Sequence, residues 1–442
     1  MKKVLTLIVI SASVLFSSCK KNTSTVSKPQ GGAFMEELDQ ALTACIVRDQ
    51  FNPPIASRVY AYAFLAAYEA AVPFYKGYES CAGKVNGLTE IPRPENVEEL
   101  DSNVVVLAAF ARVGKELSFK NHALVDFEKA KIDEYTKLIG KERTDKSVEY
   151  GRKVGEAILA WSKKDNYVNI KKSSKYTIRT DSRTHWIPTS PDYAEAVEPK
   201  WMTLRPMFMD SASQFELPPP TQFDSSKTTA FYQENMKVYE ECNKAHNDTT
   251  CDQREIAYFW DDNPNVSMHH GHMGFAELKL TPGGHWVAIT SATCRQLNKN
   301  LIESAKAQMM VSAAVFDGFI ACWHGKFQYE YIRPITYIRR YIDHEWDAFL
   351  QTPPFPEYPS GHSVVSGSAA SVLTSLFGDN HAFVDSSEMP YLHGVRKFES
   401  FNAAAEEAAM SRLYGGIHYM PAVTNGITLG RSIGSNVVAE LK

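Results

Sequence analysis

The sequence has no surplus of positive charge: 47 Lys and Arg stand against 51 Asp and Glu, leaving a formal net charge of −4. Without a basic face or stripe, a nucleic-acid partner is excluded as a first reading. The seven cysteines include no CxxC pair and no zinc-ligand spacing, which argues against a metal–thiolate site. Beyond the first residues no apolar run reaches about 18 residues, so a body built of membrane spans is disfavoured. Alternating apolar and polar runs are lacking as well, which argues against a β-rich fold, and no repeat of solenoid length occurs.

What the chain does have is the balance of a folded body, 44% apolar and 22% charged residues, arranged with helical periodicity. Stretches such as "PPIASRVYAYAFLAAYEAAVPFY", "NVVVLAAFARVGKELSF" and "LIESAKAQMMVSAAVFDGFIACWHGKF" carry apolar residues three and four apart. The periodicity stops between residues 166 and 227, a segment rich in Pro, Thr, Ser and Asp, and then resumes. A structureless insert this long lines or covers a site in a compact protein. The expected fold is therefore all-α: a helical bundle over 34–165, the irregular segment 166–227, and a second bundle over 228–442 that holds the active site.

The first residues, "MKKVLTLIVISASVLFSSC", combine two lysines, an apolar run and two small residues before Cys19. That is an export signal rather than a membrane span, and its end resembles the lipobox of bacterial lipoproteins, in which Cys19 is acylated. Residues 1–19 are then the signal and 20–33 a flexible tether, with the protein held at the cell envelope, at the outer membrane. An ordinary signal peptide with an incidental cysteine is the alternative. Export permits disulfides. Cys242 and Cys251 are close enough in sequence to pair, with buried free thiols as the other reading.

Three short segments near the C-terminus carry the chemistry. In "KFQYEYIRP", Lys326 and Arg333 are seven apart, two helical turns, and form a cationic clamp if they share a helix; Pro334 bends or ends that helix. In "TPPFPEYPSGHS", prolines stiffen the entry to a helix that starts near Gly361. The first N–H groups of that helix attract an anion, Gly361 allows close approach, Ser360 adds a hydroxyl, and His362 stands ready as an acid–base group. In "SRLYGGIH", Gly415 and Gly416 break a helix so that Arg412 and His418 converge. Singly, each piece has a plain structural reading: a solvated helix face, a turn, a satisfied histidine.

Together, in this order, the pieces resemble the signature K-x6-RP, PSGH, SR-x5-H shared by type 2 phosphatidic acid phosphatases and vanadium-dependent haloperoxidases. It covers residues 326–418. The stretch before His362, with Phe355, and Trp323 three residues ahead of Lys326 look like the haloperoxidase side, where such aromatics border a halide pocket. The segment "THWIPTSPDYAEAVEPKWMTLRPM", residues 184–207, is similar to one in bacterial members. The resemblance implies a vanadate cofactor held by Lys326, Arg333, Ser360, Gly361 and Arg412, with His418 as vanadium ligand and His362 as acid–base group. It also implies hydrogen peroxide, a halide (iodide or bromide) and an organic acceptor as reaction partners. His324 and Ser363 are further candidates for halide choice.

The phosphatase pattern continues H-x3-D, whereas this chain has Ala422 in that place, so a route in which His418 carries phosphate is less favoured. Asp261 in "YFWDDNP" is a candidate carboxylate partner for an arginine of the site. Two alternatives stay open on sequence alone: a soluble acid phosphatase using a phosphohistidine, and a lipid-anchored binding protein. The cluster "MHHGHMG", with His269, His270 and His272, reads as a polar loop rather than a metal site.

Overall fold

A computed structural model describes residues 31–442 apart from positions 181, 265, 271, 272, 277, 392 and 393. The signal, Cys19, His272 and most of the expected tether lie outside the described residues. Fourteen α-helices are described: α1 Gly31–Asp49, α2 Pro53–Ala71, α3 Ser102–Leu117, α4 His122–Ile139, α5 Lys141–Ser162, α6 Tyr167–Lys171, α7 Ala230–Asn247, α8 Asp252–Phe259, α9 Pro282–Gln296, α10 Leu301–Tyr329, α11 Pro334–Tyr341, α12 Gly361–Phe377, α13 Phe401–Tyr414 and α14 Met420–Glu440. Two short antiparallel hairpins complete the list, β1 Ser267–His270 with β2 Met273–Ala276, and β3 Phe383–Asp385 with β4 Arg396–Phe398. Their strands are three or four residues long, too short for a visible alternation, and the first occupies the histidine-rich stretch expected as a loop.

Helix α10 is the axis of the molecule. Asn300 and Glu303 close a capping box at its start, and apolar or small residues surround it on all sides, as suits a helix with neighbours on every face. It packs against α2 and α9 on one side and α12 and α14 on the other. Among the described residues it is the one helix long and apolar enough to cross a membrane, and it is nearly all buried within the fold. Helices α3 and α5 pack together and α3 covers α2. Because α2 touches both sets, the two expected bundles share one apolar core running from Phe34 to Val438.

Small residues set the close approaches. A Cβ on Gly430 of α14 would lie 2.1 Å from the Val364 carbonyl of α12, so these helices meet backbone to backbone. A Cβ on Gly31 would lie 2.1 Å from the Leu301 backbone nitrogen. That packing extends α1 back into the stretch expected as tether.

The segment 166–227 is mostly irregular, and its backbone groups find partners on α10. Asp317, fully buried in mid-helix, accepts from the N–H groups of Met207, Phe208 and Met209 at 2.7, 2.8 and 3.2 Å. Burial raises its carboxyl to about 6, which those three bonds partly offset. Further along, Trp186 donates its N–H to the Glu330 carbonyl and Val197 to that of Pro354, so the segment laps over the end of α10 where the motif residues gather. The six described cysteines are buried free thiols, Cys242 and Cys251 included. Cys242 sits against Gly416 and accepts the Phe349 N–H, while Cys251 turns to the Lys244 carbonyl.

Candidate active site

Lys326 and Arg333 reach the same place by different elements. Helix α10 ends at Tyr329, and Glu330 turns left-handed with φ 47°. Arg333 is extended, at φ −82° and ψ 150°, directly before Pro334, the first residue of α11. A residue before proline is pushed out of the helical region, so the expected shared helix face does not exist. Lys326 spends its ammonium on the proline-rich loop, donating to the carbonyls of Pro356, Glu357 and Pro359 at 2.8, 2.9 and 2.6 Å. This one side chain therefore shapes the stretch that delivers Ser360, Gly361 and His362. Arg333 donates from Nε to the Phe355 carbonyl at 2.9 Å and from Nη1 to the Ile417 carbonyl at 2.8 Å, which joins that loop to the His418 turn.

Helix α12 starts at Gly361 with Ser360 as its cap, the Ser360 hydroxyl accepting the Ser363 N–H at 3.3 Å. Open space faces the Cα of Gly361, with no atom within 4 Å of where a Cβ would stand. The first-turn N–H groups of a helix have no partner inside it; here Ser360 takes that of Ser363, while Gly361 and His362 line the open space. On the opposite wall α13 ends at Tyr414, Gly415 and Gly416 turn the chain, with φ +78° at Gly416, and His418 follows. Arg412 and His418 converge as the two glycines implied.

The protonation of His418 follows from its neighbours. Arginine can only donate, and Arg333 Nη1 lies 3.2 Å from His418 Nε2, so Nε2 carries a lone pair. Nδ1 then holds the proton and donates it to Glu357 Oε1 at 2.8 Å. The same oxygen accepts the Tyr419 N–H at 2.9 Å. By the same reasoning His362 Nε2, 2.9 Å from Arg412 Nη1, accepts. Both histidines are held well below their ordinary value, by burial first and then by Arg333 and Lys326 for His418 and by Arg412 for His362.

Burial raises Glu357 to about 8, opposed by Arg333, the Tyr419 N–H and Lys326. Its Oε1 must stay an acceptor for two N–H groups. A proton on this carboxyl therefore sits on Oε2, which has no other partner. Burial likewise pulls Lys326 down to about 7, while three carbonyls that each require a proton favour its charged form.

These walls enclose a cavity of about 30 Å³ lined by His362, Arg412, His418, Gly361, Trp323 and Phe355, with Asp261 and Asp262 at one side. Three buried guanidinium nitrogens in the site have no hydrogen-bond partner: Arg333 Nη2, Arg412 Nε and Arg412 Nη2. Unpartnered buried donors are costly, about 1–3 kcal/mol each, and a small anion relieves that cost. The set suits a tetrahedral oxyanion: guanidinium forks, helix N–H groups and one imidazole lone pair.

Comparison with known proteins fits that donor set. No curated protein sequence matches the chain. The family model "VCPO second helical-bundle domain" matches residues 306–442. A crystal structure of a bacterial vanadium-dependent iodoperoxidase is 37% identical, with a TM-score of 0.89 over 94% of this chain and 98% of that one. This chain belongs to the vanadium-dependent haloperoxidases. Holo and apo structures of a bacterial vanadium-dependent chloroperoxidase, each 16% identical with TM-scores of 0.66 and 0.65, share the fold over 89% and 88% of this chain and 93% and 94% of theirs. The haloperoxidase uses vanadate as its cofactor, and its substrates are peroxide and halide.

Trp323 and Phe355 stand together on the apolar wall, ring centroids 5.1 Å apart. Phe355 lies 4.9 Å from the Lys326 ammonium and 5.1 Å from the Arg333 guanidinium. The Trp323 indole donates to the Val197 carbonyl at 3.1 Å, which ties the irregular segment to this wall. His324 and Ser363 do not line the cavity; Ser363 packs toward Gly426 of α14.

Asp261 lies 3.9 Å from Arg412 Nη2, beyond hydrogen-bond reach, and its close partner is Lys279 at 2.7 Å. Its neighbour Asp262 faces His362 instead, with Oδ2 3.7 Å from His362 Nε2. Two residues of the site were missed from sequence, Glu357 and Asp262. Glu357 fills the supporting place vacated at Ala422, and it is the one acidic residue among the prolines of the motif.

Proposed function

We propose that this haloperoxidase oxidises iodide in preference to bromide, using hydrogen peroxide and releasing a hypohalous species to an organic acceptor. The observation that carries this reading is the unpartnered donor set of Arg333 and Arg412 around the His418 lone pair, beside a wall of Trp323 and Phe355. The 37% identical relative named as an iodoperoxidase supports the halide assignment, as does the ease with which iodide gives up electrons. In this reading His418 Nε2 is the vanadium ligand, and Arg333, Arg412, Ser360 and the N–H of Gly361 hold the oxyanion charge. Lys326 acts chiefly by shaping the loop. Vanadate held by these residues would supply Lewis-acid activation of peroxide toward halide. His362, neutral and accepting from Arg412, gives and takes the proton that peroxide binding requires.

The deciding experiment is peroxide-dependent oxidation of iodide and bromide with and without vanadate, run beside phosphate-ester hydrolysis. Vanadate-dependent iodide turnover above bromide turnover is expected. Ester hydrolysis without halide oxidation would overturn the reading. We also propose that Cys19 is acylated and that residues 20–30 tether the enzyme to the outer membrane. Radiolabelled palmitate incorporation lost in Cys19→Ala is the expected result, and incorporation in that variant refutes it.

A further inference from the structure

Beside the catalytic cavity, and sharing Asp262 with its wall, lies a second buried cluster. His285, near the start of α9, is fully buried. Its Nδ1 is 3.0 Å from Asp262 Oδ1 and 3.5 Å from Glu388 Oε1, and its Nε2 is 2.8 Å from Asp385 Oδ2. The donor atoms of Asp262, His285 and Glu388 all lie within 4.8 Å of one another. Donors around a tetrahedral zinc ion at its usual bond lengths stand roughly 3.4 Å apart, within the range found here. Glu388 is 2% exposed, and its Oε1 faces His285 with no hydrogen-bond partner.

We propose that Asp262, His285 and Glu388 form a binding site for one divalent transition-metal cation, separate from the vanadate site and adjoining it. Three observations support it. The first is Glu388 Oε1, a buried unpartnered oxygen directed at the point where the other two donors converge. The second is Asp385, which accepts from His285 Nε2 as a carboxylate does behind a metal-bound histidine, leaving Nδ1 to face the centre. The third is charge: three buried carboxylates, Asp262, Asp385 and Glu388, surround a single imidazole, an excess of negative charge that a dication offsets. One imidazole and two carboxylates suit Zn²⁺ or Mn²⁺ rather than a soft metal.

A cavity of about 350 Å³ lies behind Asp385, lined in part by Glu36, Asp39, Asp385, Ser387 and Tyr391. Of the clustered residues it touches Asp385, and it is distinct from the cavity holding His362 and His418.

The test uses the full-length, vanadate-loaded protein, stripped with chelator, reloaded with vanadate and titrated with Zn²⁺ or Mn²⁺. One equivalent per chain is expected, counted by elemental analysis apart from vanadium. Glu388→Gln and Asp385→Asn, close in shape to the native residues, are expected to weaken binding tenfold or more, in line with the roughly 10–100-fold loss typical for such supporting groups. X-ray absorption at the zinc edge of the wild type, which needs no variant, is expected to show oxygen and nitrogen neighbours with one imidazole. Uptake well below one equivalent, uptake unchanged in both variants, or a site with several imidazoles overturns the proposal.

Discussion

Glu357 and His418 share a 2.8 Å hydrogen bond that fixes which nitrogen of the histidine faces the cavity. Its proton lies on Nδ1, so Nε2 presents a lone pair between Arg333 and the open space. Glu357→Ala leaves both the His418 and the Tyr419 N–H unpartnered, whereas Glu357→Gln keeps a carbonyl acceptor. The expected loss of vanadate affinity is about 10–100-fold for alanine and smaller for glutamine. Vanadate titration of the chelator-stripped enzyme reads this out, and equal affinity in all three proteins would refute the role.

The two histidines are expected to separate binding from turnover. His418→Ala loses the ligand and with it cofactor retention. His362→Ala keeps vanadate, because Arg333, Arg412 and the α12 N-terminus remain, but turns over about 10²–10⁴-fold more slowly, the usual contribution of an acid–base group. Vanadium content after gel filtration, set beside kcat, distinguishes the two. Equal vanadium retention in His418→Ala and wild type would remove the assignment.

Phosphate has the tetrahedral shape of vanadate, and the unpartnered guanidinium groups respond to charge and geometry. Phosphate is therefore expected to slow reconstitution competitively, and Arg412→Ala to weaken both anions, each by roughly 1.5–3 kcal/mol for a lost charge-assisted bond. Reconstitution rates across a phosphate titration measure the competition. A rate indifferent to phosphate would contradict the site as described.

Lys326 gives the site a dependence on pH. Burial lowers it to about 7, against roughly 10.4 in an unfolded chain. Between those values the unfolded chain holds a proton that the folded one lacks, so this residue makes the cofactor-free protein more stable as pH rises across that window. Vanadate binding favours the ammonium and runs the other way, so affinity is expected to fall as pH rises through about 7. Lys326→Gln flattens that profile while lowering affinity at every pH. Apparent vanadate Kd measured from roughly pH 6 to 9, with melting curves alongside, tests both signs.

Much of this was legible in the sequence, for identifiable reasons. Helical periodicity marked α12 from Gly361 to Phe377, and the two glycines marked the turn that brings Arg412 to His418. The shared face of Lys326 and Arg333 was misread, because spacing assumes a continuous helix and Pro334 sets its own constraint on the residue before it. Glu357 and Asp262 were missed since each works through a contact far along the chain: Glu357 is 61 positions from His418, and Asp262 meets His362 from a loop after α8. The short hairpins gave too few residues for a period, and a disulfide between Cys242 and Cys251 was ruled out only by where their side chains turn.

The strut from the Val197 carbonyl to the Trp323 indole places one wall of the reaction chamber under the control of a segment more than a hundred residues upstream. The same residue grips Pro354, next to Phe355, so both aromatic rings hang from one external post. On the proposed role of these rings beside the halide, substitutions around residues 190–205 are expected to shift halide preference while every letter of the oxyanion signature stays unchanged.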